Sequence, residues 1–308
     1  MGTNRLVPSS PLPPFLRCIS VASVLSVIVS AQPSFDYDPK LPIDLQETSR
    51  QQKDGALLRE ITYATLDGKR NGATLVTPAG DARRDRPRPA VLFVHWYGPP
   101  EPTSNRSQFV PDAIELARAG AISLLIDTPW SDPDYFPKRK REEDYDRSVA
   151  QVKDLRRALD VLLAQPAVDP ARVAYVGHDF GAMYGVLAAS VDPRIRLFVF
   201  MAGTRSFSDW FLLGEPKLEG EARQKFIDRL APLDPIAALP KLNGIPLLFQ
   251  FATDDRYVPR ATADALAAAA PGKPDVRTYK TEHELNSEAT RDRIEWLKKR
   301  LLHGGAPL

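Results

Sequence analysis

Short, continuous apolar runs alternate with longer stretches carrying a helical stripe from residue 90 onward. The runs at 90–94, 121–126, 173–176, 195–201 and 246–251, with a weaker one at 276–279, read as strands buried on both faces. Between them, 108–119, 143–164, 182–190, 261–270 and 287–302 read as helices. The stripe is clearest in 143–164, where Val149, Val152, Leu155, Leu159 and Leu162 share one face. Strands that alternate with helices predict an α/β fold, a mainly parallel central sheet flanked by helices. Upstream, 57–66 alternates as a strand, Asp67-Gly68 opens a turn, and 73–77 reads as the hairpin partner. Residues 79–89, rich in Arg, Asp and Pro, read as a solvated loop. The stretch 204–239 is long for one connection and predicts a small helical excursion over the sheet edge, too short for a large cap.

The N-terminus follows another pattern. Arg5 and Arg17 precede an apolar run over 18–29, too short to span a bilayer comfortably, and Val29-Ser30-Ala31 places small residues where a signal peptidase reads. The expected organisation is a secretory signal peptide over 1–31, an extended lead-in over 32–56, the main domain over 57–302 and a tail over 303–308. The expected location is secreted or periplasmic, with no stable membrane insertion after cleavage. The chain carries 41 basic and 39 acidic residues, so it has no basic stripe to suggest nucleic acid. Cys18 is the single cysteine and lies inside the expected signal, so the mature chain would have no thiol, disulfide or cysteine metal site. The histidines are dispersed, no glycine-rich phosphate loop is present, and no metal or cofactor is expected. The expected partner is a small-molecule substrate.

Candidate chemistry centres on Gly177-His178-Asp179-Phe180-Gly181, which follows a short strand and precedes a helix. A strand, a tight turn and a helix form the setting of a nucleophile elbow, with glycines where bulky neighbours would block the close approach. The apex residue here is a carboxylate, Asp179. Of the four histidines, His283 lies after the last strand, where open α/β sheets hold their sites; His303 sits in the tail. Asp255, in Ala252-Thr253-Asp254-Asp255-Arg256-Tyr257-Val258-Pro259, completes the order nucleophile, acid, histidine; Asp254 is the rival. The acid would hold the imidazole tautomer and stabilise its protonated form. The oxyanion hole would use the backbone N–H groups of Phe180 and Trp96. His95, Tyr97 and Trp130 are expected to line the pocket. His178, beside the apex, should point away from it.

Elbow, acid, histidine and oxyanion loop together resemble the α/β-hydrolase superfamily over roughly 57–302. The short excursion resembles the dienelactone hydrolase and acetyl-esterase branch, whereas the Gly-His-Asp-Phe-Gly elbow is similar to that of epoxide hydrolases and haloalkane dehalogenases. The chain differs from the latter in lacking a long cap, and from the usual oxyanion loop in having Trp96 where His-Gly is common. The resemblance implies a hydrolase. An aspartate at the apex attacks an electrophilic sp3 carbon to form a covalent ester, which His283 and water then hydrolyse. Epoxides, haloalkanes and lactones fit that chemistry. A carboxylic ester hydrolase in which Asp179 and His283 activate water directly is the alternative, and a non-catalytic binding protein is the rival from another class. Tyr97, Tyr135 and Tyr184 are candidate acids for a leaving oxygen. The indole N–H groups of Trp96 and Trp130 are candidate donors to a leaving anion.

Overall fold

Strand Arg88–Val94 shows how the apolar runs are used. Ala90, Leu92 and Val94 face one hydrophobic core, and Val91 and Phe93 face a second on the other side of the sheet. A strand buried on both faces must be apolar at every position, which explains the continuous run. The structure, a computed structural model, describes residues 1–2, 33–80 and 86–302. The expected signal peptide beyond residue 2, with Cys18, the tail with His303, and part of the Arg-rich loop lie outside the described residues.

Among the described residues, nine strands form one sheet. In chain order the elements are β1 (Gln46–Lys53), β2 (Ala56–Ala64), β3 (Arg70–Pro78), β4 (Arg88–Val94), α1 (Val110–Arg118), β5 (Ile122–Ile126), α2 (Tyr135–Lys138), α3 (Asp144–Leu163), β6 (Val168–His178), α4 (Phe180–Val191) and β7 (Leu197–Met201). There follow α5 (Phe207–Phe211), α6 (Gly220–Leu230), α7 (Pro235–Ala238), β8 (Leu247–Ala252), α8 (Arg260–Ala269), β9 (Asp275–Tyr279) and α9 (Ser287–Leu301). The sheet order is β1-β2-β3-β5-β4-β6-β7-β8-β9. β1, β2 and β3 pair antiparallel, β3 joins β5 antiparallel, and the remaining pairs are parallel. The segment read as an extended lead-in therefore contains an edge strand, β1. Its mostly exposed, polar residues carry no one-sided apolar signal, so only pairing with β2 defines it.

The order of strands decides where the site is. From β4 the chain moves one way to β5, then crosses back by α3 to β6 on the other flank of β4. The connections leave a crevice beyond the carboxyl ends of β4 and β6, the switch point at which open α/β sheets bind ligands. The striped helix packs by Val152, Leu155, Leu159 and Leu162 on the core, with Val149 at its margin. Residues 204–239 form the small helical excursion, with α5, α6 and α7 separated by short 3-10 turns.

The β6–α4 bend is packed backbone against backbone. A Cβ on Gly177 would collide with the backbone of Gly181 and Ala182, and one on Gly181 with the carbonyl of Val94. Only hydrogen fits at either place. Gly181→Ala is expected to lower stability by about 3 kcal/mol, the upper end of overpacking costs, because backbone on both sides must move. Thermal denaturation checks this.

Candidate active site

Asp179 stands at the apex with φ of 54° and ψ of −119°, a left-handed conformation rare for a side chain with a Cβ. The bend is held by its own hydrogen bonds. Asp179 N–H donates to the Met201 carbonyl at 2.9 Å, and the N–H groups of Ala182 and Met183 donate to the Asp179 carbonyl at 3.0 Å. Tyr175 reaches past the bend, and its hydroxyl donates to the Gly181 carbonyl at 2.7 Å. The carboxylate so presented lies at the N-terminus of α4, where the helix dipole favours negative charge.

The structure brings Asp179, His283 and Asp255 together. His283 Nδ1 lies 2.8 Å from Asp255 Oδ2. The other oxygen of Asp255 accepts the N–H groups of Tyr257 at 2.8 Å and Val258 at 3.0 Å, which fixes the carboxylate before it meets the imidazole. Asp254 is exposed and accepts from the Thr253 hydroxyl instead. Of the two aspartates, it is Asp255 that reaches the histidine, because the turn at Tyr257 and Val258 turns its side chain inward.

Asp179 Oδ2 accepts the backbone N–H of Tyr97 at 3.1 Å. The loop donor is therefore one residue later than expected. The Trp96 N–H is committed to Gln108 Oε1 at 3.0 Å. The reason is a peptide clamp. His95 Nδ1 lies 2.7 Å from the Trp96 carbonyl and so donates to it. The Trp96 carbonyl and the Tyr97 N–H belong to one planar trans peptide and point in opposite directions, so holding the first aims the second at Asp179. That leaves His95 Nε2 as an acceptor, 2.8 Å from the hydroxyls of both Thr128 and Ser131.

A second histidine ties the loop to the segment that carries His283. Gln108 Nε2 is 2.6 Å from His178 Nδ1, and an amide nitrogen can only donate. The His178 proton is thereby placed on Nε2, which donates to the His283 carbonyl at 3.0 Å. Sequence reasoning did not find Gln108. It lies at the start of the first predicted helix, and nothing local marks it. His178 turns away from Asp179, as expected, but its ring supports the loop that carries His283.

All three described histidines are buried, and their neighbours divide them. His95 is pushed down to about 4 by desolvation, and the Arg106 charge adds to this against the bond to the Trp96 carbonyl. His178 is driven well below its ordinary value by desolvation and by the charge of His283. Both serve as neutral framework. For His283 desolvation again opposes the charged form, but the Asp255 hydrogen bond and the charges of Asp179 and Asp255 outweigh it, and its pKa rises. Burial pushes Asp179 up to about 7, even though His283 and the Tyr97 N–H pull it down. The Phe180 N–H also favours the ionised carboxylate.

Two atoms at the centre, Asp179 Oδ1 and His283 Nε2, are buried without any hydrogen-bond partner, as are the indole nitrogens of Trp96 and Trp210. Asp179 has 0% exposure and His283 4%, so aromatic rings close the site. Tyr97 packs on Tyr135 and Phe136, and its hydroxyl donates to the Pro133 carbonyl at 3.3 Å. Phe136, Trp210 and Phe211 pack around Phe180. Trp130 is a core residue rather than a pocket wall. It is 1% exposed, stacks on Tyr184, and donates its indole N–H to the His95 carbonyl, so that donor is not available to a leaving anion. His95 likewise lies behind the loop, 1% exposed. The Tyr184 hydroxyl is bonded to Ser148 at 2.9 Å. Desolvation raises the pKa of Tyr97, Tyr135 and Tyr184, with Tyr135 reaching about 12. Among the described residues no cluster of three or more His, Cys, Asp or Glu could hold a metal ion, and no helix is long and apolar enough to cross a membrane.

Comparison with known proteins agrees with this architecture. No family model matches the chain. The acetyl xylan esterase 1 of Thermoanaerobacterium sp. JW/SL YS485 superposes with a TM-score of 0.67 at 18% identity, covering 84% of this chain and 88% of that one. A Klebsiella pneumoniae subsp. pneumoniae MGH 78578 protein assigned as a dienelactone hydrolase superposes with a TM-score of 0.56 at 15% identity, covering 79% of this chain and 97% of that one. In sequence, the polyketide transferase ATR5 of Stachybotrys chlorohalonatus (strain IBT 40285) is 31% identical over 98 residues. That match spans 31% of this chain and 31% of the relative, less than a third of either. The fold is that of the α/β-hydrolases, and it resembles the esterase and dienelactone hydrolase branch.

Two outcomes are expected. Asp179 titrates near 7 in the folded protein against about 3.9 unfolded, so its burial penalty is present above about pH 7 and disappears as pH falls toward 4. Asp179→Asn should therefore stabilise the protein at pH 8 by a few kcal/mol, on the order of 2–4, with the gain shrinking toward pH 4. Melting curves across that range test it; a constant gain would show that the carboxylate is not strained by burial. Gln108→Leu leaves the N–H of Trp96 and Nδ1 of His178 unsatisfied, and should lower stability by about 1–3 kcal/mol in urea unfolding.

Proposed function

We propose that the chain is a hydrolase of small molecules that acts on a carboxylic ester or lactone. One observation carries the reading: Asp179 Oδ1 and His283 Nε2 are buried together without partners in a site where Asp255 already holds the imidazole. A carboxylate oxygen accepts, and the imidazole nitrogen opposite a protonated Nδ1 also accepts. Both can take the protons of one water. His283 would remove a proton from that water as it adds to the substrate carbonyl, and would return the proton to the leaving alcohol. Asp255 would stabilise the imidazolium in between. The likeness to an acetyl xylan esterase and a dienelactone hydrolase supports esters and lactones over the epoxides and haloalkanes suggested by the elbow alone.

A second reading rests on another observation. Asp179 Oδ2 already occupies the Tyr97 N–H, with the Phe180 N–H adjacent to the same carboxylate. If Oδ1 attacked an sp3 carbon, the new bond would run from Oδ1 to that carbon while the carbon–oxygen bond of the substrate broke. The resulting ester would have its carbonyl oxygen in place among backbone donors. Water activated by His283 would then attack the Asp179 carboxyl carbon, the bond from that carbon to Oδ1 would break, and the alcohol would leave with the proton taken up by His283, which restores the carboxylate. Under either reading the basic-then-apolar leader supports export to the secreted or periplasmic space.

Single-turnover hydrolysis in heavy-oxygen water separates the routes. Direct water attack puts the label in the product acid and none in the Asp179 peptide, whereas the covalent route labels that peptide. Asp179→Asn and His283→Ala should each lower kcat/KM by roughly 100-fold or more while remaining folded. Full activity in Asp179→Asn would overturn both routes. Absence of turnover over a panel of esters, lactones, epoxides and haloalkanes would favour a binding protein.

A further inference from the structure

The chain has four tryptophans, and their indole N–H groups are not equivalent. Trp130 donates to the His95 carbonyl and Trp296 to the Asp275 carboxylate. Trp96 Nε1 is also buried without a partner, but its ring lies flat on His178, with centroids 5.3 Å apart and planes within 2°, inside the network that supports the loop. Trp210 is placed differently. It comes from the excursion, is 6% exposed, and meets His283 edge-on, with centroids 5.6 Å apart at 69°. It also packs 5.9 Å from Phe180 and 5.2 Å from Tyr257. Its Nε1 is buried and has no acceptor.

That position is built, not incidental. Phe207, Trp210 and Phe211 occupy one face of α5, at i, i+3 and i+4, and all three are buried. The Ser206 hydroxyl caps α5 by accepting the Asp209 N–H at 3.3 Å, and Asp234 accepts the Phe207 N–H at 3.0 Å. The helix is thus anchored at its first turn with its aromatic face on the elbow. An indole N–H only donates, and burying it unpaired costs about 1–3 kcal/mol. Of the groups packed on Trp210, Phe180 has no acceptor, the Tyr257 hydroxyl is engaged by Arg256, and the accepting Nε2 of His283 makes no hydrogen bond with the indole.

The direct-water route has a matching deficit. When a water adds to an ester carbonyl, the carbonyl oxygen becomes an oxyanion that needs donors. The Tyr97 N–H, which would supply one, is held by Asp179 Oδ2. We propose that Trp210 Nε1–H is the donor that takes the substrate carbonyl oxygen, so that the excursion, rather than the usual loop, supplies the electrophilic contact to an ester or lactone. This inference rests on the hydrolase reading for its chemistry, but the donor contact can be tested without turnover.

The test uses full-length protein labelled with nitrogen-15 in its tryptophans, with acetanilide as a carbonyl probe that resists hydrolysis. Trp210→Phe, which keeps the ring face and removes the N–H, assigns the Trp210 indole signal by its loss. Adding acetanilide should move that indole proton downfield and leave the Trp130 and Trp296 signals in place. In parallel, Trp210→Phe should lower kcat/KM for phenyl acetate by roughly 100-fold, as for the loss of an oxyanion donor, with the fall in kcat rather than in KM. A Trp210 signal that stays put up to the solubility limit of acetanilide overturns the proposal, as does unchanged kcat in Trp210→Phe. Turnover of phenyl acetate by the native protein with an unmoved signal sinks the donor role and leaves the hydrolase. A moved signal without turnover sinks the hydrolase and leaves the donor site.

Discussion

The fold depends on one crowded turn. Where β6 meets α4, the chain reverses within a few residues, so closely that neither Gly177 nor Gly181 can carry a Cβ. Asp179 is forced to positive φ between them, at a cost of order 1–3 kcal/mol for a non-glycine residue. In return its carboxylate stands clear of strand and helix, at the helix N-terminus and beyond the carboxyl ends of the parallel strands. The surrounding bonds from Met201, Tyr175, Ala182 and Met183 all restrain this one bend. The strain is therefore distributed over a rigid core instead of being released by local unwinding.

Three described histidines show how one side chain serves opposite ends. His95 and His178 are kept neutral by desolvation and act as two-sided connectors, each donating from one nitrogen and accepting at the other. His95 orients the Trp96–Tyr97 peptide. His178 and Gln108 join that loop to the backbone of His283. His283 is nearly as buried, yet it is drawn toward the charged form, because Asp255 and Asp179 both face it. Carboxylate neighbours, not depth, decide which imidazole is able to take a proton. A displacement in the Trp96–Tyr97 loop would be felt at His283 through two hydrogen-bonded side chains.

The site is closed by rings from three separate regions. Phe136 from α2 and Trp210 and Phe211 from α5 gather around Phe180 of the elbow, and Tyr97, which follows β4, packs on Phe136. A carboxylate isolated from water among such surfaces is held above its usual pKa, which makes it costly to the fold.

Periodicity alone determined the alternation of buried strands and helices, because a strand covered on both faces must be apolar throughout and a surface helix must be striped. Local crowding at Gly177 and Gly181 made the elbow legible, and the order Asp179, Asp255, His283 made the acid and histidine candidates legible, since each sits at a strand end. Edge strand β1 was not legible, because its polar residues are defined by pairing and not by burial. The tertiary structure alone decided between Asp254 and Asp255, moved the loop donor from Trp96 to Tyr97, withdrew Trp130 into the core, and brought in Gln108 and Trp210. Those outcomes depend on which way a peptide plane or side chain faces once distant segments meet. Sequence patterns record burial and spacing along the chain, whereas hydrogen-bond direction is set by contacts made across it.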